Sequence, residues 1–330
     1  MHRIYSLVRD GSLAILAPGC FVAADWADSR DAWGRFALQS GALALGHPEA
    51  HLTGWAATVV RGYPTLGRPP HLPTALRPAA PGRGSRTLKH GRLLVANVPD
   101  EHLYLKGPLG VMSPAWSVAD IARCTRLPDA LVVAEEAVRR GVDLKTPLAP
   151  MSGWRGVSRA RWVATVADPC VETSLETLGR FAFFEFRFPL PVANAWIGRD
   201  GPERRVDGLL PWHWWAYEGD GAGKYDDRPE SQVVRDQNER EFMLRRLGLD
   251  FARFQWEDVY PRRDPFVAKV RAMFRDYPVR DRPVRYWKHV PGRGAVLATE
   301  KDWPSPYPAP LILPAGWQID ARDGDGRSNA

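Results

Sequence analysis

Three strand signals follow one another in the middle of this 330-residue chain, and they constrain its fold more than any other feature. Each is a short run of apolar, β-branched or aromatic residues bounded by turn residues, which is the pattern of β-strands. The first two are joined by Arg199-Asp200-Gly201, a hairpin turn, so we expect them to pair antiparallel. The signals cover residues 192–198, 204–210 and 213–220.

Acidic residues lie on neighbouring strands of this predicted sheet. Strand side chains alternate between faces, so Asp207 lies on one face of the second strand, and Glu218 and Asp220 share a face of the third. Carboxylates held together away from water repel, and one pKa would rise unless a cation neutralises them. Mg²⁺ and Mn²⁺ prefer such oxygen ligands. A bound metal, with a nearby cation for which Lys224 is the candidate, is what hydrolysis of a phosphodiester requires.

Simpler interpretations of the same acids stay open at this point. Asp207 is also explained as a surface acid near a turn, and Glu218 with Asp220 as a polar strand end. Glu176 precedes the sheet in a predicted helix. Residues four apart share a helix face, so a surface ion pair with Arg180 also explains it.

Helices and one more strand flank the three strands. A helix opens either at Asp168-Pro169, or one turn later, where Thr173 and Glu176 match a capping box. The order helix, three strands, helix, strand, helix is typical of an α/β domain. The later elements are predicted over 231–247 (helix), 249–256 (strand) and 265–275 (helix).

The N-terminal half has an α+β pattern and no catalytic constellation. A helix end is followed by a hairpin signal, which is typical of the wing of a winged helix, although a plain hairpin explains it equally well. Residues from Pro278 onward have only brief apolar runs, and we expect the last ten to be disordered. The predicted elements are the hairpin 13–16 and 20–23, helices 29–46, 114–124 and 128–141, strands 93–98 and 103–105, and a short helix within 153–168.

Composition limits the compartment and the partners. The formal net charge of +7 is only weak evidence for a nucleic-acid partner. Three cysteines, far apart and without a C-x-x-C motif, argue against a disulfide framework or a zinc ribbon and for a reducing compartment. The sequence has neither an 18-residue apolar window nor a signal peptide, so we expect a cytoplasmic protein with no membrane partner.

Taken together, the motifs resemble those of actinobacterial proteins that join an AbiEi-type antitoxin region to a DUF559/Vsr-like endonuclease domain of the PD-(D/E)xK superfamily. The specific matches lie within 168–260, and the looser matches to the antitoxin region lie within the first 122 residues. The specific matches include Ser174-Leu175-Glu176, Pro189-Leu190-Pro191, Arg205-Val206-Asp207, Glu218-Gly219-Asp220-Gly221, Gly223-Lys224-Tyr225, Asn238-Glu239-Arg240-Glu241 and Arg253-Phe254-Gln255-Trp256. The looser ones include Leu52-Thr53-Gly54-Trp55 and Met112-Ser113-Pro114.

The resemblance implies a restriction-endonuclease-like αβββαβ core. It implies that Mg²⁺ or Mn²⁺ is held by Asp207 and Glu218, with Glu176 as an auxiliary ligand. Asp220 stands where the superfamily carries a lysine, so it is either a third metal ligand or a sign that catalysis is lost, and Lys224 is the candidate replacement. The candidates for contacts with DNA phosphates are Arg235, Arg240 and Arg253.

The same resemblance implies a four-part chain and two competing functions. The first function is metal-dependent hydrolysis of DNA. The alternative is a non-enzymatic, antitoxin-like DNA-binding regulator whose nuclease fold is inactive. DNA is the expected partner in both, and a cognate toxin is a second expected partner class. The four parts are a winged-helix remnant with a helix (1–61), an AbiEi-like α+β region (62–150), a nuclease-like domain (151–277) and a Pro/Gly-rich tail (278–330).

Overall fold

A computed structural model describes residues 2–221 and 242–320 of the chain. The chain forms two compact units, each with its own sheet and its own core. Unit 1 consists of Met1–Ala167 together with Pro314–Ala330, and unit 2 consists of Asp168–Leu313. Both combine helices with sheets of mixed strand direction, so the chain has a mixed α/β architecture.

Unit 1 contains a hairpin, a six-stranded sheet and seven described helices. Two of these helices begin at a side-chain cap: the Asp31 carboxylate accepts from the Gly34 N–H (2.7 Å), and the Ser113 hydroxyl accepts from the Trp116 N–H (3.1 Å). The helices are α1 (His2–Arg9), α2 (Ala24–Asp28), α3 (Ala32–Gly46), α4 (Gly54–Val60), α5 (Pro114–Cys124), α6 (Leu127–Arg139) and α7 (Val157–Val166).

The strands of unit 1 form two separate sheets. β1 and β2 make the antiparallel hairpin, and the other six lie in the order β5-β6-β4-β3-β8-β7, with β4/β6 and β3/β8 parallel. α5 packs against α4, α6 and α7, and its Trp116 is fully buried. The strands are β1 (Leu13–Ala17), β2 (Cys20–Ala23), β3 (His51–Leu52), β4 (Thr74–Pro78), β5 (Arg86–Leu88), β6 (Gly91–Ala96), β7 (Leu103–Lys106) and β8 (Leu109–Met112).

Unit 2 is built on a second six-stranded sheet in the order β12-β11-β10-β9-β13-β14. β11 and β12 are parallel and all other neighbours are antiparallel. Residues 242–246 are also helical. The elements are α8 (Ser174–Glu185), β9 (Val192–Ile197), β10 (Arg204–Leu210), β11 (Trp215–Gly219), β12 (Asp250–Phe254), α9 (Trp256–Val259), α10 (Asp264–Asp276), β13 (Trp287–Val290) and β14 (Gly294–Leu297).

Aromatic rings join α8 and α10 to one face of the unit 2 sheet. Phe183 of α8 lies 5.4 Å from the ring of Tyr217, and Phe266 of α10 lies 4.3 Å from the ring of Phe254. Gly208 makes room for this packing, because a Cβ there would lie 2.2 Å from the Tyr217 ring. A second buried cluster is formed by Ala195, Ile197, Val206, Leu209, Ala216, Leu244, Leu249 and Tyr286.

Several predicted boundaries differ from the structure for local reasons. The third strand begins at Trp215 and not at residue 213, because residues 211–214 form a turn in which Trp214 has a φ of 56°. The helix expected at residue 29 begins at Ala32, where the Asp31 carboxylate caps it. Most of the helix predicted over 231–247 lies outside the described residues.

The chain also divides differently from the four predicted parts. α7 packs on α5 and α6, so residues 151–167 belong to unit 1 and not to the nuclease-like part. The tail is not a separate part: β13 and β14 extend the unit 2 sheet, and the segment from Pro314 returns to unit 1. In the part of the chain that the structure describes, no helix is long and apolar enough to cross a membrane.

Candidate functional site

The first turn of α8 is shaped by a reciprocal cap. The Thr173 hydroxyl accepts a hydrogen bond from the Glu176 N–H (3.2 Å) and donates one to Glu176 Oε1 (2.9 Å). This selects the second of the two predicted helix starts, so residues 168–173 lead into the helix and do not form its first turn. The cap turns the Glu176 side chain back toward the start of α8.

Glu176 is buried, and three donors surround its carboxylate. Besides Thr173, the Glu172 N–H donates to Oε2 at 3.1 Å and the Asn194 amide donates to Oε2 at 2.8 Å. Only 5% of Glu176 is exposed, so the solvated surface ion pair with Arg180 does not describe this residue. A buried carboxylate needs such donors, because leaving it unpaired would be costly.

Asn194 connects α8 to the centre of the sheet. Its φ of 48° lies in the left-handed region, which asparagine tolerates better than most residues. Its amide also donates to the Cys170 carbonyl at 2.6 Å. β10 pairs Val206 with Ala195 and Gly208 with Ala193, and this register sets Asp207 opposite Asn194.

Asp207 lies where β10 and β11 separate. Their ladder joins residues 208–210 to 215–217, and beyond it Asp207 Oδ2 accepts from the Gly219 N–H at 2.8 Å. Extending the same register by one residue sets Asp207 across from Glu218, and cross-strand partners share a face. Both residues are buried, at 8% and 6% exposed. The Asp207 carboxylate therefore accepts the hydrogen bond from the Gly219 N–H that a backbone carbonyl of the neighbouring strand would otherwise accept.

Electrostatics link Glu176 to Asp207. Burial raises the pKa of Glu176 above its ordinary value of 4.5, and the negative charge of Asp207 raises it further. Hydrogen bonds from Glu172, Thr173 and Asn194 act in the opposite direction. α8 and β10 thus bring Glu176 and Asp207 close enough for their charges to interact, in a neighbourhood where negative charge is unfavourable.

Asp220 lies at the edge of this neighbourhood and has a different environment. Its N–H donates to the Phe254 carbonyl at 2.9 Å, and its carboxylate lies 3.7 Å from the Arg253 guanidinium. About 29% of its side chain is exposed, unlike the three buried acids. Arg253, predicted to contact DNA phosphate, thus forms an ion pair with Asp220.

Three predicted site residues lie outside the described part of the chain. They are Lys224, Arg235 and Arg240. Within residues 2–221 and 242–320, no group of three or more His, Cys, Asp or Glu side chains is close enough to hold a metal ion. The described carboxylates therefore present at most a pair of ligands as they stand.

Some residues that organise the site carry no prediction from the sequence. Asn194 and Gly219 supply the donors that hold Glu176 and Asp207, and Arg205 binds Glu172 through two 2.7 Å contacts. The ion pair between Arg205 and Glu172 connects the segment just before α8 to β10. A Thr-x-x-Glu pattern signals the cap, but no pattern in the sequence pairs Asn194 with Glu176.

Comparison with known proteins leaves the family open. No family model matches the chain. A 104-residue segment is 31% identical to two uncharacterized proteins of Mycobacterium tuberculosis, MT2308 of strain CDC 1551 and Rv2248 of strain H37Rv. The matched segment is 30% of this chain and 38% of the length of each relative. No solved structure matches the chain.

Proposed function

We propose that unit 2 is a restriction-endonuclease-like domain that hydrolyses DNA phosphodiester bonds with a divalent metal. The observation that carries the proposal is the buried, interacting pair Glu176 and Asp207, with buried Glu218 opposite Asp207 when the β10–β11 register is extended by one residue. α8, β9–β11, the helical residues 242–246 and β12 follow one another in the αβββαβ order that the resemblance implies.

Carboxylate oxygens are the ligands that a small hard cation prefers. Asp207 and Glu218 would hold Mg²⁺ or Mn²⁺, with Glu176 acting as an auxiliary ligand. Mg²⁺ is typically bound by one or two carboxylates, with water and substrate phosphate completing its shell, so a pair of described ligands suffices. When bound, the metal supplies Lewis acidity and lowers the pKa of a coordinated water.

The other residues have roles that follow from their positions. The Gly219 N–H fixes one oxygen of Asp207, and the Asn194 amide fixes one oxygen of Glu176. Asp220 and Arg253 border the neighbourhood, where Arg253 would orient a phosphate of the DNA backbone. Lys224 is the candidate for the catalytic cation, and Arg235 and Arg240 are candidates for phosphate contacts; all three lie outside the described residues.

The direct test is cleavage of plasmid and single-stranded DNA by the full chain with Mg²⁺ or Mn²⁺, compared with chelator. We expect metal-dependent cleavage that Asp207→Asn reduces by about 100-fold or more, in the range seen when a single group central to catalysis is removed. The Asn side chain retains an oxygen that can accept from the Gly219 N–H, so the fold should persist.

Asp200→Asn, in the hairpin turn between β9 and β10, is the matched control and should cleave as the unaltered protein does. Equal cleavage in chelator, or full activity of Asp207→Asn, would rule out the proposed site.

A second candidate is a DNA-binding, antitoxin-like regulator with an inactive nuclease fold and a toxin as partner. It is favoured by the carboxylate of Asp220 at the position where the superfamily carries a lysine, and by the nearby guanidinium of Arg253. Binding of promoter DNA that weakens steeply with salt and needs no metal, without cleavage, would select this function.

A further inference from the structure

Unit 1 contains a cavity of about 460 Å³ whose lining residues all belong to that unit. Its size lies within the range of small-molecule sites, roughly 300–1,000 Å³. The walls come from β4, β6, the start of α4, the end of α5, the start of α7 and the segment after Pro314.

The polar part of the cavity wall is strongly cationic. Four arginines and a single described carboxylate line it. That carboxylate, Asp120, is already engaged: it accepts from Arg123 at 2.8 Å and from the Thr53 hydroxyl at 2.9 Å. The four arginines are Arg92, Arg123, Arg155 and Arg159.

Arg159 is a buried cation with unused donor capacity. Only 5% of it is exposed, and its Nη2 donates to the carbonyls of Thr125 and Ile319, the latter at 3.0 Å. Its Nε is buried and has no partner among the described residues, and the same is true of Arg92 Nε. Burial also lowers the pKa of Arg159, against weaker opposing effects of Cys124 and Asp320. An anion bound beside Arg92 and Arg159 would offset the cost of burying their guanidinium groups.

The N-terminal end of α7 also lines the cavity. Arg155 precedes α7 and Ser158 lies in its first turn, and the N-cap Gly156 has a φ of 81°. A Cβ on Gly156 would lie 2.2 Å from the Arg123 carbonyl, so only glycine allows α7 to begin here. The N-terminal end of a helix favours anions.

The rest of the wall is apolar. Trp55 and Phe36 contribute aromatic surface, and Leu72, Leu94 and Ile121 contribute aliphatic surface. Arg92 and Leu94 lie two apart on β6 and share a face, so charge and apolar surface adjoin along one strand. A ligand that fits must combine an anionic group with an apolar or planar body.

We propose that this cavity binds a small organic anion, with its phosphate or carboxylate held by Arg92 and Arg159 and its apolar body held beside Trp55. The guanidinium fork suits both anionic groups. The site is independent of the function proposed for unit 2.

The test is calorimetric titration and thermal melting of the full chain with matched probes. The phosphate arm compares adenosine monophosphate with adenosine and with inorganic phosphate. The carboxylate arm compares phenylacetate with phenylacetamide. We expect one of the two organic anions to bind and to raise the melting temperature. Its neutral analogue should bind about ten-fold more weakly or worse because a charged hydrogen bond is lost, and inorganic phosphate about ten-fold more weakly or worse because it has no apolar body to bury.

Arg92→Gln should weaken the binding anion by about ten-fold or more, the loss expected for one charge-assisted contact. Arg86→Gln, an exposed arginine on β5 outside the cavity, is the matched control and should bind normally. Arg92 is only part-buried, so its variant should fold, which a retained melting temperature would verify. The proposal fails if neither organic anion binds, if the neutral analogues bind equally well, or if Arg92→Gln binds as tightly as Arg86→Gln.

Discussion

At the scale of single residues, the environment of Glu176 is set by burial and by one neighbouring charge. Thr173, Asn194 and the Glu172 N–H donate to its carboxylate, yet its pKa is raised, because burial and Asp207 outweigh these hydrogen bonds. Buried carboxylates of this kind are frequent at functional sites, where a bound cation or a proton offsets their cost.

A pH-dependent stability follows from this raised pKa. Above pH 4.5 the unfolded chain has released the Glu176 proton while the folded protein retains it, so folding becomes less favourable as pH rises toward the folded-state pKa. Glu176→Gln removes this titration. We therefore expect the loss of unfolding free energy between pH 4 and pH 7 to be smaller in Glu176→Gln, measured by urea denaturation in the absence of divalent metal.

Glu257→Gln, at an exposed position in α9, is the control and should follow the unaltered protein across the same pH range. If the unfolding free energies of Glu176→Gln and the unaltered protein changed in parallel with pH, Glu176 would have the same pKa in the folded and unfolded states.

At the scale of elements, the pairing of β10 with β11 depends on a glycine, Gly208, whose lack of a side chain leaves room for a neighbouring ring. Gly208 pairs with Tyr217, and the Tyr217 ring occupies the space that a Cβ would need. That ring cannot move aside easily, because it is 1% exposed and lies between Phe183, Phe254 and Phe266. The close approach keeps Asp207 next to β11.

Gly208→Ala should therefore destabilise unit 2 by about 1–3 kcal/mol, the usual cost of overpacking a core. Chemical denaturation measures this directly. Gly201→Ala in the β9–β10 turn is the matched control: an added Cβ there meets nothing within 4 Å, and the change should be small. A Gly208→Ala protein as stable as Gly201→Ala would mean that the Tyr217 ring can be displaced at little cost.

At the scale of the whole molecule, the C-terminal tail contributes to both units. β13 and β14 extend the unit 2 sheet, and Tyr286, just before β13, is 1% exposed and belongs to a core cluster. Its hydroxyl donates to the Asp302 carbonyl at 2.8 Å. The segment after Pro314 returns to unit 1, where the Leu127 N–H donates to the Trp317 carbonyl at 2.9 Å.

Tyr286→Ala should cost about 3–5 kcal/mol of unfolding free energy, as truncation of a buried aromatic side chain does. Tyr307→Ala, at a tail position that is 67% exposed, is the control and should change stability by less than about 0.5 kcal/mol. The comparison is made by thermal and urea denaturation of the full chain. Equal, small effects of both variants would mean that the tail does not belong to the folded core.

The sequence by itself determined the elements whose signals are local. The hairpin β1–β2, the helix from Pro114 to Cys124 and the strand from Arg204 to Leu210 are predicted by turn residues, caps and alternation, and the structure has each of them. Asp207 and Glu218 are also predicted as candidate site residues from the sequence, since strand periodicity places them on two neighbouring predicted strands.

The tertiary structure decided what depends on partners distant in the chain. The tail strands have weak local signals and form because they add to the edge of an existing sheet, and the two-residue β3 forms because it pairs with β4 on one side and β8 on the other. Asn194 meets Glu176, and Gly219 meets Asp207, only after the helix and three strands have packed. Burial of those carboxylates, which sets their energetics, is a property of that packing and is absent from any local pattern.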